Sequence, residues 1–233
     1  MAFGLPLHHD CALLSVGAVA EDGVMSPDLS FEHAAMAQGA SSVAGVDEVG
    51  RGPLAGPVTA AAVILDLSAI PVGLNDSKRL SAPRRAALAE QIMRSAEVSI
   101  AHASVEEIDC LNILRASHLA MERAVAGLPE RPDHLLIDGN LMPRGLDIPG
   151  ETIIKGDGLS MSIAAASIVA KTCRDRIMWD LAQHHPGYGW ETNMGYPSKG
   201  HIAALQNLGV TPHHRRSFRP IHHILYQGKC ITR

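Results

Sequence analysis

Three aspartates in this sequence share one kind of position, at the end of an apolar run and close to a glycine. They are Asp47 in AGVDEVG, Asp138 in LLIDGN and Asp157 in IIKGD. Apolar runs of this kind predict buried strands, so the three carboxylates are expected at strand ends. Carboxylates that converge there raise one another's pKa unless cations neutralise them, and we expect no lysine beside them. The pattern therefore predicts a metal site.

Oxygen ligands of this kind suit Mg²⁺ or Mn²⁺ and not a metal that prefers thiolates. Two such ions about 4 Å apart can activate a water molecule and stabilise the leaving oxygen of a phosphodiester, so the predicted chemistry is phosphodiester hydrolysis. Two of the acids also have a simpler explanation when taken alone: Asp157 as a helix N-cap and Asp138 as a turn former before glycine. Both explanations stay open on these residues alone.

Glu48 is a fourth candidate ligand, but its position raises a geometric difficulty. Adjacent residues of a strand point to opposite faces of the sheet. Asp47 and Glu48 therefore reach one site only if the strand ends or bulges beside them, which Gly50 and Gly52 would permit.

The segments that must position these acids alternate between strand and helix patterns. SVAGVDEV and GPVTAAAVIL, joined by a loop rich in Gly and Pro, predict two strands, and VSIAHAS, HLLIDGN and ETIIKGD predict three more. Helices are predicted over residues 82–97, VEEIDCL, ILRASHLAMERAVAGL, SMSIAAASIVAKTCRDRIMWDLAQHH and residues 198–208. This order predicts an α/β fold. Residues 1–42 follow neither pattern and are expected to form a flexible extension with at most a short helix near Phe31–Gln38.

The composition is typical of a protein of the reducing cytoplasm. Hydrophobic residues make up 46% of the 233-residue chain and aromatic residues only 3%, so the core must consist mainly of small and aliphatic side chains. The four cysteines have no paired spacing, and no run approaches the roughly 18 apolar residues of a membrane span. These features predict a soluble, cytoplasmic protein.

The net charge of −4 hides an asymmetry along the chain. Residues 158–233 hold nine lysines or arginines and three acids, whereas residues 1–157 hold eleven and twenty-one. A basic C-terminal third beside an acidic remainder predicts a phosphate-binding surface next to a carboxylate-rich centre.

The segment DEVGRGPLAGPVTAAAVIL resembles the type 2 ribonuclease H family, specifically bacterial ribonuclease HII. The similarity continues in the family's order through LNDSKRLS, IDGN, IIKGD, SIAAASIVAKTCRDR, GYPSKGHIAAL and HHRRSF. It implies a ribonuclease H-like α/β fold, with a central mixed sheet flanked by helices and a small C-terminal helical portion. The domain would span residues 43–233, with a catalytic core over about 43–185 and a basic helical portion over about 186–233.

The resemblance also implies an activity and the residues that perform it. The family's four acidic positions, which bind divalent metal, fall on Asp47, Glu48, Asp138 and Asp157. The implied enzyme is an endonuclease that hydrolyses the RNA strand of RNA–DNA hybrids and incises 5′ of single ribonucleotides embedded in duplex DNA, leaving 5′-phosphate ends. Its implied role is to remove misincorporated ribonucleotides and RNA primers.

Substrate recognition is implied for a second group of residues. Only the 2′-hydroxyl distinguishes RNA from DNA at a given nucleotide. Gly50, Arg51 and Gly52 match the family's Gly-Arg-Gly loop, where glycines let the backbone approach a ribose closely. Tyr196 matches the family tyrosine that stacks at the RNA-to-DNA step. The candidate phosphate contacts are Lys78, Lys171, Lys199, Arg215 and Arg216.

Two local features complete the comparison with the family. The thirteen histidines, which include the pair His213 and His214, are expected at the surface or facing the nucleic acid. The segments GLSMS after Asp157 and ETNMGY before the tyrosine depart from the usual family sequence. These departures put local phosphate contacts in doubt but remove no carboxylate.

Three other interpretations remain open. Ribonuclease HIII has the same fold but usually carries a sizeable N-terminal substrate-binding domain, for which residues 1–42 are too short and irregular. An inactive hybrid-binding module would gain nothing from four acids beside phosphates, and a resolvase or transposase of the same fold is disfavoured by the Gly-Arg-Gly loop.

The expected partners are nucleic acids: RNA–DNA hybrids and DNA that contains ribonucleotides. We expect no membrane association, and we expect a monomer. No clamp-binding motif is evident in ILYQGKCITR, although its Leu-Tyr pair leaves association with a sliding clamp open.

Overall fold

A five-stranded mixed sheet forms the centre of the computed structural model, which describes residues 26–227. In chain order the strands are β1 (Val43–Val49), β2 (Val58–Leu65), β3 (Ala96–Ala103), β4 (His134–Asp138) and β5 (Gly150–Ile153). Their spatial order is β3-β2-β1-β4-β5. The first three strands pair antiparallel, whereas β4 lies parallel to both β1 and β5. The predicted mixed sheet is confirmed.

Helices cover both faces of this sheet. In the described range they are α1 (Ser30–Ala37), α2 (Ala82–Ser95), α3 (Val105–Leu111), α4 (Ile113–Ala126), α5 (Met161–His184), α6 (Trp190–Asn193), α7 (Lys199–Leu208) and α8 (Arg219–His222), which continues as the π-helical turn His223–Gln227. None of these described helices is long and apolar enough to cross a membrane.

The alternating side chains of β2 divide the core into two layers. Ala60 and Ala62 pack against α4, whereas Ala61 and Val63 pack against α2 and α5. Helix α5 lies so close to β1 that a methyl group on Gly45 would come within 2.1 Å of the α5 backbone. The small residues of α5 thus permit the predicted close packing on the sheet.

The C-terminal helices have a hydrophobic cluster of their own at the end of α5. Met178 and Ala182 of α5 pack there with Trp190 of α6 and Leu205 of α7. Leu54, from the loop between β1 and β2, belongs to the same cluster. The C-terminal portion therefore packs directly against the loop that follows the first strand.

The start of the described range is not the flexible extension that the sequence predicts. Residues 26–37 contain α1, whose Ala35 packs with Val43 of β1 and with Leu136 of β4. The predicted short helix is present, but the surrounding segment is part of the fold. The rest of the predicted extension, residues 1–25, lies outside the described range.

A buried carboxylate fixes α1 to the start of α5. Glu32 is 2% exposed, and its Oε1 accepts hydrogen bonds from the Ser160 hydroxyl at 2.7 Å and from the Ser162 amide at 2.9 Å. An acid at a helix N-terminus is stabilising because the first amides of the helix lack partners. The sequence did not indicate that residues 26–37 belong to the fold, because the partners of Glu32 lie 128 and 130 residues further along the chain.

Candidate active site

Asp47 and Glu48 lie side by side near the end of β1, on opposite faces of the sheet. Asp47 pairs with Ala61 of β2 and shares its face toward α5, whereas Glu48 pairs with Ala60 and shares its face toward α4. The β1–β2 register is regular through Val49. The strand therefore ends one residue after Glu48, as one of the two expected arrangements requires, and it contains no bulge beside these two acids.

The end of β4 explains how both side chains still reach one place. Pairing between β1 and β4 stops at Val46 and Ile137, so the side of β1 that faces β4 is open beyond that point. Asp138 is the last residue of β4. Asp47, Glu48 and Asp138 each place a carboxylate oxygen within 4.8 Å of the others in this space.

The protein environment disfavours negative charge on these carboxylates. Burial, followed by the charges of Glu48 and Asp138, raises the pKa of Asp47 well above its usual range. Burial, followed by the charges of Asp157 and Glu48, raises the pKa of Asp138 to about 6. A hydrogen bond from the Gly156 amide to Asp138 Oδ1, at 2.7 Å, opposes that rise without cancelling it.

The same cluster has the chemistry of a divalent-cation site. Its ligands are hard carboxylate oxygens, and mutual repulsion would be relieved by a cation. Glu48 Oε2 is buried and has no hydrogen-bond partner in the described part of the chain. A buried acceptor without a donor is costly, so a cation at this position would satisfy it.

Asp157 completes the acidic group from a different element. It lies in the short 3₁₀ turn Gly156–Gly158 between β5 and α5 and is 7% exposed. The N-cap of α5 is Ser160, whose hydroxyl accepts from the Ile163 amide at 3.2 Å, so Asp157 does not have the N-cap role that remained open.

Lys78 corrects the expectation that no lysine accompanies the acids. Its Nζ lies 3.0 Å from Asp157 Oδ2. The Lys78 side chain is 75% exposed, so this ion pair lies at the surface of the site. The sequence did not reveal this pair because 79 residues separate its members.

Removing metal should make stability depend on pH through Asp138. The pKa of Asp138 in the folded protein, about 6, lies above its ordinary 3.8, so the folded chain binds more protons than the unfolded chain between these values. In chelator, the free energy of unfolding should therefore fall as the pH rises through about 6, and less steeply in Asp138→Asn.

Added metal should stabilise the folded protein. At neutral pH, a divalent cation at about 100 times its Kd should add about 2.7 kcal/mol to the free energy of unfolding. Thermal unfolding with and without metal measures both effects, and equal pH slopes in the two proteins would contradict the prediction.

The glycine loop, residues 50–57, leaves β1 directly beside the acids. Gly50 has a φ of 96°, which favours glycine. Arg51 is exposed, and its guanidinium donates to Glu48 Oε1 at 3.1 Å. A methyl group on Gly52 would lie 3.3 Å from the Tyr196 ring, so the loop and the tyrosine predicted to recognise substrate are in contact.

Arg215 is not placed where the sequence predicted it. Its side chain is fully buried and donates to the carbonyl oxygens of loop residues instead of facing solvent. The prediction that Arg215 contacts phosphate is therefore wrong. Arg216, the next residue, is exposed, and within residues 26–227 only its backbone amide is hydrogen-bonded, to Asp109 at 2.9 Å.

The remaining predicted phosphate contacts lie outside the acidic cluster. Lys171, on α5, forms an ion pair with Asp175 at 2.6 Å and is only partly exposed. Lys199 begins α7 and is exposed. No interaction within the described chain connects either lysine with the carboxylates.

Two clefts, of which the first includes Asp157, are lined by basic side chains that the sequence analysis did not identify. Lys155 and Arg79 join Lys78 and Asp157 around a cleft of about 500 Å³. On the α4 side, Arg115 and Arg144 line another cleft of about 500 Å³. Nothing in the spacing of these five basic residues along the chain indicated that they line these two clefts.

Tyr196 is held by two histidines that were expected at the surface. Tyr196 is 42% exposed, while His201 and His214 are fully buried. His201 Nδ1 lies 2.9 Å from the Tyr196 carbonyl oxygen, and its Nε2 lies 3.1 Å from His214 Nε2. Burial, followed by the charge of His201, lowers the pKa of His214 to about 3, so both rings are neutral at physiological pH.

Comparison with known proteins decides the family. A family model described as Ribonuclease HII matches residues 44–221. A ribonuclease HII from a Ruegeria species is 65% identical over 226 residues, which span 97% of this chain and 96% of that relative. The chain belongs to the ribonuclease HII family. A second ribonuclease HII, from Ruegeria pomeroyi, is 67% identical over 217 residues, or 93% of each chain.

The solved ribonuclease H2 of Pyrococcus horikoshii shares the fold of this ribonuclease HII family member. The two match with a TM-score of 0.64 at 26% sequence identity, over 78% of this chain and 96% of that one. Family membership confirms the resemblance and sets aside the ribonuclease HIII, binding-module and resolvase interpretations. It also establishes the chain as an enzyme with ribonuclease H endonuclease activity.

Proposed function

We propose that this enzyme hydrolyses the RNA strand of RNA–DNA hybrids and also incises on the 5′ side of single ribonucleotides embedded in duplex DNA, leaving 5′-phosphate ends. The observation that carries the proposal is the contact between the glycine loop and Tyr196, directly beside the acidic cluster. The glycine loop and Tyr196, which we assign to recognition of one ribose, thus lie next to the carboxylates that we assign to cleavage of its phosphodiester.

In this proposal Asp47, Glu48, Asp138 and Asp157 hold two divalent cations, Mn²⁺ or Mg²⁺. The cations, when bound, supply an activated water and neutralise charge on the leaving oxygen. The protein contributes the placement of its oxygens, which come from β1, β4 and the turn before α5. The raised pKa values of Asp47 and Asp138 support this role, because the carboxylates gain from neutralisation.

Recognition of the substrate is assigned to the exposed surface around the acids. The backbone of Gly50, Arg51 and Gly52 senses the 2′-hydroxyl, and Tyr196 stacks on the nucleotide at the RNA-to-DNA step. Lys78, Arg216 and Lys199 are exposed candidates for phosphate contacts, and the partly exposed Lys171 stays a proposed contact. Phosphate contacts fix the position of a duplex but do not select its sequence.

The cellular setting follows from the same proposal. We propose that the enzyme removes misincorporated ribonucleotides and RNA primers in the cytoplasm. We propose that it acts as a monomer. The free thiols of Cys110 and Cys173 are compatible with a reducing compartment.

The decisive experiment compares cleavage of four duplexes of one sequence. One is DNA with a single ribonucleotide, and the others are an RNA–DNA hybrid, all-RNA and all-DNA. We expect incision 5′ of the single ribonucleotide and cutting of the hybrid in Mg²⁺ or Mn²⁺, with neither activity in Asp138→Asn. Cutting of the hybrid alone would remove the embedded ribonucleotide from the proposed function.

Tyr196→Ala should impair incision at a single ribonucleotide more than cutting of a hybrid. A stacked base contributes about 1–3 kcal/mol, so kcat/KM should fall roughly 5- to 150-fold when the only RNA-to-DNA step loses its stacking partner. Tyr226→Ala is the matched control, because Tyr226 is similarly exposed and lies in the C-terminal turn. Equal losses on both substrates would show that Tyr196 does not act at the junction.

A further inference from the structure

The backbone carbonyl groups of the glycine loop are almost all occupied by two arginines. Arg215 donates to the carbonyl oxygens of Gly50, Arg51, Pro53, Gly56 and Pro57, at distances from 2.6 to 3.2 Å. Arg174, on α5, donates to those of Ala55 and Pro57 at 3.1 and 2.9 Å. The Leu54 carbonyl accepts from the backbone amide of Arg215 at 2.8 Å. Within the described chain, only Gly52 of this loop keeps its carbonyl free of these residues.

Neither arginine has a carboxylate partner in the described part of the chain, which is unusual for buried charges. Burial, followed by the charge of Arg174, lowers the pKa of Arg215 to about 9, so its guanidinium stays charged at neutral pH. The loop carbonyls, and the Phe218 ring 5.1 Å from Arg215 Cζ, compensate for the lost hydration. The loop therefore provides most of the stabilisation for these charges, and the charges in turn fix the loop.

Two glycines make this approach possible. A methyl group on Gly50 would lie 2.2 Å from Arg174 Nε, and one on Gly56 would lie 2.3 Å from Met178 Sδ. The loop is also tied to the C-terminal portion by its amides: Leu54 donates to the Gly195 carbonyl at 2.7 Å and Gly56 to that of His213 at 2.9 Å. Within the described chain, the amides of Arg51 and Gly52 donate to no other group and remain for a ligand.

We propose that Arg215, supported by Arg174, is a positioning residue for recognition of the ribose. The two guanidiniums hold the loop carbonyls inward, so the loop presents the amides of Arg51 and Gly52 to the nucleotide in one fixed shape. This inference rests on the proposed function, in which the loop senses a 2′-hydroxyl. In this proposal Arg215 contributes to the selection of RNA over DNA. Arg216 contributes to the affinity for any nucleic acid through its charge.

Arg215→Lys is the test variant, with Arg216→Lys as the matched control. Lysine keeps the positive charge but loses the planar fork of donors that spans several carbonyls. Both changes are made in an Asp47→Asn background, which prevents cleavage. Fluorescence anisotropy then measures the affinity for a DNA duplex with one ribonucleotide and for the same all-DNA duplex. We expect the ratio of the two affinities to fall about tenfold in Arg215→Lys, with the all-DNA affinity unchanged, and the ratio to stay constant in Arg216→Lys.

Hydrogen exchange of the Leu54 and Gly56 amides provides a readout that does not depend on substrate. These amides should exchange about tenfold faster in Arg215→Lys, while the amides of α4 keep their protection. If Arg215→Lys does not fold, Arg174→Lys is the substitute variant. It must show both the faster amide exchange and the lower ratio of the two affinities. Unchanged exchange and an unchanged affinity ratio would overturn the proposal. A parent protein that binds both duplexes equally would overturn the proposed function, and the exchange rates would still decide whether the arginines hold the loop.

Discussion

Asp47→Asn is expected to abolish cleavage and at the same time to stabilise the metal-free protein. Loss of one carboxylate from the cation site should lower kcat by about a thousandfold or more. The stability gain follows because Asp47 is 5% exposed and its pKa is raised by burial and by neighbouring acids, so its ionised form is costly at neutral pH. Asparagine keeps an oxygen for the Glu48 amide, which donates to Asp47 Oδ1 at 2.7 Å.

Two measurements on the same protein test this expectation. Cleavage of an RNA–DNA hybrid gives kcat, and thermal unfolding in chelator gives the stability, where each kcal/mol of relieved repulsion corresponds to roughly 2–4 °C in Tm. Asp147→Asn is the matched control, because that side chain is 83% exposed in a surface ion pair. A Tm that falls together with activity would mean that the substitution damages the fold, and full activity would exclude Asp47 from the site.

A chain that begins at residue 42 should be much less stable and less active than one that begins at residue 26. Comparing these two truncations isolates α1, which contributes Ala35 and the partly buried Phe31 and Met36 to the hydrophobic cluster at β1 and β4. Full burial of a large apolar side chain contributes about 1.5–3 kcal/mol. An acid at a helix N-terminus contributes up to about 2 kcal/mol. The shorter chain should therefore lose roughly 4 kcal/mol.

Glu32→Ala separates the role of the carboxylate from that of the helix. It removes the acceptor of Ser160 and Ser162 at the start of α5, three residues after Asp157. We expect a lower Tm and a reduced affinity for Mn²⁺, measured by calorimetry, because the Asp157 turn loses its support. His33→Ala, at an exposed position of the same helix, should change neither quantity. A Glu32→Ala protein with unchanged Tm would show that α1 does not support the site.

The carboxylates could be predicted from the sequence because each ends an apolar run, and such runs indicate strands. Asp138 illustrates this, since IDGN follows two buried leucines and does end a strand. The joint access of Asp47 and Glu48 could not be predicted. It depends on where pairing with β4 stops, and that is set by a strand 91 residues further along the chain.

Arg215 and Arg216 show why the basic contacts were harder to predict. The two residues are identical and adjacent, yet one is fully buried and the other exposed. What separates them is the set of loop carbonyls 158 to 165 residues earlier in the chain, and no local pattern encodes those partners. For the same reason Glu32 looked like a residue of a flexible extension, and His214 like a surface histidine.

The long separations between partners have a consequence for the chain as it is synthesised. The glycine loop leaves the ribosome early, but Arg215, which holds it, follows 165 residues after Gly50. Contacts this distant in sequence form late in folding, since their segments must first be brought together. A nascent chain that already carries all four acids therefore still lacks the residue that shapes its substrate loop. We therefore expect selective binding of a ribonucleotide to arise only after Arg215 has been synthesised and has bound the loop carbonyls.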